Sequence, residues 1–225
     1  MPFDRTLHER LARDFPIRRD EMHARHLATY DLFLKYFRDN IAVPNLSMSD
    51  AKLGVVLVYT WMQPAALNPD CWENHRLAEE VLAREKTSRL NVDDIEPLKQ
   101  FVGGSLIATS KFLHFLNPDQ YAMWDTNVAR AAYRYSWQQC NRTDRYLQYL
   151  DDINELTLDD ALRRRVQDAI GSASELRIKE FALCQLGITE SGSGPRNHEV
   201  DMVEDLPFAT ENFSVDLSAY AENRD

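Results

Sequence analysis

The sequence predicts an all-α protein, and three observations carry this prediction. Apolar residues recur with a helical period along most of the first 186 residues, and strong strand-type alternation is absent. Gln63-Pro64 and Asn117-Pro118 each close one of these periodic segments, because proline disfavours the helical conformation in the residue before it. With 225 residues, 44% of them hydrophobic, the chain is long enough to build one sizeable core.

Four helices are expected in the first part of the chain. The segments 5–14 and 18–40 have helical periodicity, and the second keeps its aromatic residues on roughly one side. The segment 51–62 is almost entirely apolar, which favours a buried helix. The segment 71–86 is amphipathic, with its charges on the outer side.

The middle of the chain has the clearest boundary signals. Asp93-Asp94-Ile95-Glu96 resembles a capping box, with Pro97 placed in the first turn of the helix that it starts. Gly103-Gly104 predicts a tight turn, because glycine reaches positive φ without steric cost. A short apolar helix is then expected from Ser105 to Leu116.

Asp125 stands at the N-cap position of the helix predicted over 126–137. Further helical patterns cover 144–150, 158–170 and 172–186. Beyond a Ser-Gly linker signal, the chain becomes acidic and glycine-free, so this end is either disordered or packed along the body. We therefore expect a helical domain over residues 1–186 and an acidic tail over residues 187–225.

Two ionisable residues stand out, Lys111 and Asp125. The helix advances only roughly 9 Å from Lys111 to Asn117, at about 1.5 Å per residue. The seven residues Pro118 to Trp124 span at most roughly 25 Å. The chain can therefore fold back and bring both side chains into one cleft, although the spacing does not compel it.

The region around these two residues resembles the helix-hairpin-helix DNA glycosylase superfamily. The likeness rests on a glycine turn, a helix with a lysine, and an aspartate that caps the next helix. The closer similarity is to the 8-oxoguanine DNA glycosylase-like bacterial branch, through Ser110-Lys111-Phe-Leu-His-Phe-Leu-Asn-Pro-Asp and Trp124-Asp125. It covers about residues 100–135. The usual Leu-Pro-Gly-Val-Gly hairpin is reduced here to Val102-Gly103-Gly104, and Lys111 lies seven residues beyond the last glycine.

The resemblance implies an enzyme that excises a damaged or modified base from double-stranded DNA with a flipped nucleotide. Breaking an N-glycosidic bond builds positive charge on the sugar, and the Asp125 carboxylate would stabilise that charge or orient a nucleophile. Lys111 would either attack C1′ and form a Schiff base or act as a pocket cation. The competing interpretations are an ordinary N-cap aspartate and a surface lysine. No metal and no cofactor is required.

Other residues are candidates for contacts to the base or to the DNA backbone. A flipped base needs apolar walls and a few polar groups, which Trp61, Gln63 and Trp124 could supply, as could His114. The backbone N–H groups after Gly103 and Gly104 could hold a phosphate. These DNA-contact candidates are Gly103, Gly104, Ser110, Trp61, Gln63 and Trp124. Arg163-Arg164-Arg165 is either a phosphate contact or a solvated helix face.

Composition restricts the remaining choices. The net charge of −10 argues against nucleic acid at first sight, but residues 187–225 hold nine acidic and two basic residues, so residues 1–186 carry only −3. Three scattered cysteines are too few for an iron–sulfur cluster and suggest no disulfide framework. Without a signal sequence or a long apolar run, we expect a cytoplasmic monomer with no membrane partner.

Two other functions stay open at this point. The same fold could be a non-catalytic module that binds DNA or a modified nucleotide, or the acidic surface could suit a protein-interaction module. The sequence does not name the base. The closer resemblance points to 8-oxoguanine and DNA repair, whereas hypermodified phage bases would point to defence.

Overall fold

The computed structural model describes residues 3, 5–13, 15–17, 21–41, 47–62, 67, 69–72, 76–85, 90–171 and 173–191. Within these ranges the chain forms helices, turns and loops without a strand, which confirms the all-α prediction for this part of the protein. The helices are α1 (Arg5–Leu11), α2 (Glu21–Tyr36), α3 (Met48–Met62), α4 (Arg76–Glu85), α5 (Val92–Phe101), α6 (Leu106–Leu116), α7 (Thr126–Tyr133), α8 (Trp137–Cys140), α9 (Thr143–Glu155), α10 (Asp160–Ile170) and α11 (Glu175–Glu190). A π-helical turn, Phe37–Ile41, continues α2, and a short 3₁₀ turn, Pro69–Trp72, precedes α4.

Helix α6 lies at the centre of the hydrophobic core. It packs against α2, α3 and α5, and ten of its eleven residues are buried. Its rings Phe112 and Phe115 contact an aromatic group formed by Phe37, Phe33 and Trp61. Because α6 is apolar on nearly every side, only a position surrounded by other helices satisfies it.

A glycine turn joins α5 to α6. Gly103 and Gly104 have φ values of 81° and 79°, in the left-handed region that glycine was predicted to supply here. The Tyr59 hydroxyl donates to the Val102 carbonyl at 2.8 Å and so ties the turn to α3. On the other side, Asn141 accepts a hydrogen bond from Leu106 N–H at 2.9 Å. The turn is thus fixed to the body from two directions.

The capping box at the start of α5 is real, but its predicted register was wrong. Asn91 is the N-cap and Asp94 is its partner, so Pro97 is the sixth residue of α5 and not part of its first turn. Both Asn91 and Asp93 can cap a helix, and Asn91 pairs reciprocally with Asp94 through backbone N–H groups.

Several predicted helix spans also differ from the structure; for example, the helix expected over 144–150 spans Thr143–Glu155. The helix expected over 126–137 ends at Tyr133, because Arg134 adopts a left-handed φ of 60° before α8 begins. The helix expected over 71–86 is divided between the 3₁₀ turn and α4.

The last helix ends later than predicted. It was expected to end at Leu186, whereas α11 continues to Glu190, which pairs with Arg10 and Arg134. The chain divides into two units, Met1–Ser193 and Gly194–Asp225. The second unit lies wholly outside the described residues, so the character of the acidic tail stays a prediction.

Candidate active site

Lys111 is the one residue of α6 that reaches the protein surface. Every other residue of this helix is buried, and the Lys111 side chain is partly exposed. A central helix that opens to solvent at a single lysine is unusual, because lysine is rarely placed among core positions unless it is paired. Lys111 is therefore the first residue of a candidate site.

The chain folds back after α6 and places Asp125 close to Lys111, as the spacing allowed. Asn117 ends α6, and the segment 121–124 is buried. The Ser110 hydroxyl accepts a hydrogen bond from the Trp124 N–H at 3.0 Å. The residue before Lys111 is thus joined to the residue before Asp125, and the Asp125 carboxylate lies near enough for its charge to act on Lys111.

Asp125 caps α7 with only one of its carboxylate oxygens. Oδ1 accepts from the Asn127 and Val128 N–H groups, both at 2.9 Å, which confirms the predicted N-cap. Oδ2 lies 4.0 Å from the Cys184 thiol of α11. The carboxylate is thus held in one orientation, and one oxygen is left for other contacts.

Helix α11 comes close to Asp125 because residue 187 is glycine. A Cβ atom on Gly187 would lie 2.1 Å from the Asn127 carbonyl oxygen, so no larger residue fits without a shift. Within residues 176–187 of α11 every residue except Cys184 is buried. Lys111, Asp125 and Cys184 are each partly exposed, and the charges of Lys111 and Asp125 both act on the Cys184 thiol.

Helix α11, which carries Cys184, also holds a buried ion pair. Arg177 and Glu180 of α11 are hydrogen-bonded to each other, and only 7% and 3% of their side chains are exposed. The Arg177 guanidinium lies 4.9 Å from the centre of the Tyr30 ring and donates to the Met123 sulfur at 3.6 Å. Burial raises the pKa of the Glu180 carboxyl to about 7, against the opposing charge of Arg177.

Two opposing influences act on the protonation state of Lys111. Burial favours the neutral amine, whereas the neighbouring acidic groups favour the ammonium. Burial lowers the pKa of the Lys111 ammonium, while the charges of Asp125 and Glu180 act in the opposite direction. An amine with a lowered pKa is a competent nucleophile towards an electrophilic carbon. A carboxylate beside it can stabilise a positive charge that develops at that carbon.

His114 supports the site from the inner side of α6. The imidazole is fully buried, and burial together with the charge of Arg177 lowers its pKa to about 3. Its Nδ1 lies 2.7 Å from the Tyr121 carbonyl, which can only accept, so Nδ1–H donates and Nε2 accepts from the Tyr30 hydroxyl at 2.6 Å. This neutral histidine connects α2 to α6 and has no access to a substrate in this conformation.

Three other predicted contact residues have buried side chains. Trp124 is fully buried and its indole N–H donates to the Cys140 carbonyl at 2.8 Å, while Ser110 is buried between Ile107 and Trp124. Trp61 packs in the aromatic core and donates to Thr29. In this conformation these three side chains support the fold. Gln63 lies outside the described residues.

The glycine turn is on the surface, but several of its N–H groups are engaged. Those of Gly103 and Gly104 donate to carbonyls of α5, and that of Leu106 donates to Asn141. The Ser105 hydroxyl accepts from Ala108. A phosphate at this turn would have to compete with these internal bonds.

The arginine run on α10 is largely used within the fold. Arg163 forms two hydrogen bonds to Glu175, at 2.6 and 2.7 Å, and Arg165 donates to the Phe15 carbonyl. Arg164 is exposed and bonds within its own helix. These contacts favour the interpretation of this run as a helix face.

The sequence alone did not single out Arg177, Glu180, Cys184 or Tyr149 as site residues. The first three are spaced i, i+3 and i+7 on α11, so they lie on one face. The available signal was the occurrence of charged residues at 177, 179 and 180, just before an apolar run, in a helix predicted over 172–186. Tyr149 gave none, and its hydroxyl is buried without a hydrogen-bonding partner among the described residues.

Comparisons with known proteins do not add a family to this description. No protein-family model, curated protein or solved structure matches the chain. Among the described residues, no helix combines the length and apolar character needed to cross a membrane. In the same residues, no group of three or more His, Cys, Asp and Glu side chains is arranged to hold a metal ion.

Proposed function

We propose that this chain is a DNA glycosylase with a helix-hairpin-helix glycosylase-like fold, which excises a damaged or modified base from an extruded nucleotide. The observation that supports it best is the proximity of Asp125 to Lys111, the one residue of α6 that is not buried. The two residues follow a helix, a glycine turn and a second helix, in the order expected from the resemblance.

The proposed reaction uses the two residues in different ways. As the bond between C1′ and the base nitrogen breaks, the base leaves with the bonding electrons and positive charge develops on the sugar. The Asp125 carboxylate stabilises that charge through the oxygen that does not cap α7. The neutral amine of Lys111 then forms a bond to C1′ and loses a proton. A Schiff base results when the C1′–O4′ bond of the sugar ring breaks and O4′ takes up a proton.

Base release and covalent trapping test this proposal together. Duplexes that contain 8-oxoguanine or phage-type modified bases would be incubated with the protein, and the released base would be measured with and without borohydride. We expect release from at least one duplex and a reduced protein–DNA adduct. Lys111→Gln should lose the adduct, whereas Lys35→Gln, which alters an exposed lysine paired with Asp39, should keep it.

Other results would define the alternatives. Release without any adduct in the parent protein would make Lys111 a pocket cation and the enzyme monofunctional. Salt-sensitive duplex binding without release would indicate a silent DNA-binding module. Neither release nor binding across the panel would refute the proposal and leave the protein-interaction module.

A further inference from the structure

A small cavity is formed by the end of α1 and the start of α10, and the proposed reaction does not use it. Its volume is about 210 Å³. At roughly 30 Å³ for each water molecule, the cavity has room for about seven waters. It is thus smaller than the pockets of about 300–1,000 Å³ that hold drug-sized ligands, and it suits a small molecule.

Two arginine side chains line this cavity, Arg13 from the end of α1 and Arg165 from α10. Arg165 is held in place, because it donates to the Phe15 carbonyl and its guanidinium lies 5.9 Å from the centre of the Phe15 ring. Within the part of the chain that the structure describes, the Arg13 guanidinium forms neither an ion pair nor a hydrogen bond. Arg13 therefore has its donors available to a ligand.

The other lining groups determine which ligand fits. Leu11 and Leu162 supply apolar surface, and the first turn of α10 adds the partial positive charge of a helix N-terminus. The Asp159 carboxylate also lines the cavity and would repel an anion, but its Oδ1 is engaged by the Leu162 N–H at 2.7 Å. With two positive side chains and one negative, the lining keeps a net positive charge.

We propose that this cavity binds a small phosphomonoester, with its phosphate group held by Arg13 and Arg165 and its apolar part on the leucines. A guanidinium group matches phosphate oxygens in geometry and charge, since it can present two parallel N–H donors. The site goes beyond base excision and does not depend on it, because it is built from α1 and α10 and uses neither Lys111 nor Asp125.

Binding can be measured in the full chain without DNA. The side-chain Nε–H signals of ¹⁵N-labelled arginine are followed by NMR at low salt during titration with phenyl phosphate, and separately with inorganic phosphate. The Arg13 and Arg165 signals are identified by their loss in Arg13→Gln and Arg165→Lys. We expect both signals to shift with one dissociation constant of about 1 mM or less for phenyl phosphate. Inorganic phosphate should bind about fourfold more weakly or worse, because it leaves the apolar surface uncovered.

Three variants locate the binding. Arg13→Gln should weaken phenyl phosphate binding about tenfold, as followed by the Arg165 signal, because a charge-assisted contact is lost. Ala161→Leu fills the cavity and keeps both arginines, so it should abolish binding. Arg164→Gln is the matched control, since Arg164 is exposed on the same helix and does not line the cavity, and it should bind like the parent protein. Arg13, Ala161 and Arg164 are all exposed, so each variant should keep the melting temperature of the parent protein.

Three results would overturn the proposal. An absence of saturable shifts at about 10 mM phenyl phosphate, tenfold above the expected dissociation constant, would show that the cavity holds no such ligand. Equal weakening in Arg13→Gln and Arg164→Gln would reduce the effect to general surface charge. Shifts of the same two signals with a duplex oligonucleotide, but not with phenyl phosphate, would assign the arginines to a DNA backbone contact instead.

Discussion

Replacement of Asp125 by Asn separates the two tasks of this carboxylate. In the parent protein Oδ1 accepts two backbone hydrogen bonds at 2.9 Å, and an Asn carbonyl oxygen can accept the same two. What is lost is the negative charge, which strengthens these bonds and interacts favourably with the N-terminus of α7. We expect this loss to lower the free energy of unfolding by about 1 kcal/mol.

The expected effect on base excision is much larger. An amide cannot offset positive charge on the sugar, so the rate of base release should fall at least about a hundredfold, or about 2.7 kcal/mol or more in the activation free energy. The stability change corresponds to only about 2–4 °C in melting temperature for a chain of this size. A loss of activity at a temperature where the variant is fully folded would therefore be a chemical effect.

The assay is single-turnover base release with enzyme in excess over a duplex that the parent protein cleaves, combined with thermal unfolding. Asp159→Asn is the matched control, because Asp159 caps α10 by accepting from Leu162 N–H at 2.7 Å. It should show a similar small change in melting temperature and full base release. If Asp125→Asn released base at a rate close to that of the parent protein, Asp125 would be a capping residue and nothing more.

Three further changes probe the fold around the site. Tyr149→Phe removes a buried hydroxyl without a hydrogen-bonding partner among the described residues, so the melting temperature of this variant should stay level or rise. Tyr146→Phe loses a hydrogen bond to a backbone carbonyl and should be destabilised by about 1 kcal/mol. Equal losses of stability in the two variants would contradict this expectation. Gly187→Ala should lower the free energy of unfolding by about 1–3 kcal/mol, because its Cβ would overlap the backbone at the start of α7, and an unchanged unfolding curve would contradict that packing. Deletion of residues 192–225 removes eight acidic and two basic residues, and therefore much of the negative charge that would repel DNA. Non-specific duplex binding should tighten at low salt. It should change little at high salt, where charges are screened over less than about 8–10 Å. Unchanged DNA affinity with a lowered melting temperature would instead make this segment structural.

The sequence predicted well whatever depends on neighbouring residues. The positive φ angles of Gly103 and Gly104 and the N-cap at Asp125 follow from short-range rules that need no knowledge of the rest of the fold. The capping box failed by two residues because Asn91 and Asp93 satisfy the same rule, and only the reciprocal bonds of Asn91 with Asp94 decide between them.

Long-range packing accounts for what the sequence could not supply. Trp124 and Trp61 were expected to be available to a base, but an aromatic ring gives the same signal in a core as in a pocket, and both are buried. The burial of Arg177 and Glu180 depends on how α11 packs, and α11 packs beside α7 through a close contact of Gly187 with a residue sixty positions earlier. No local pattern contains that information.

The two roles of the Asp125 carboxylate, helix capping and the proposed chemistry, affect how the sequence of such a protein would evolve. Asp125 both caps α7 and is assigned to the proposed chemistry. In a lineage that lost base excision, selection for stability would therefore still keep a short acceptor side chain at this position. Lys111 caps no helix, and its neighbours on α6 are buried. An inactive descendant should therefore discard the lysine long before the aspartate. Retention of Lys111 together with Asp125 would therefore be stronger evidence for the proposed reaction than retention of Asp125 alone.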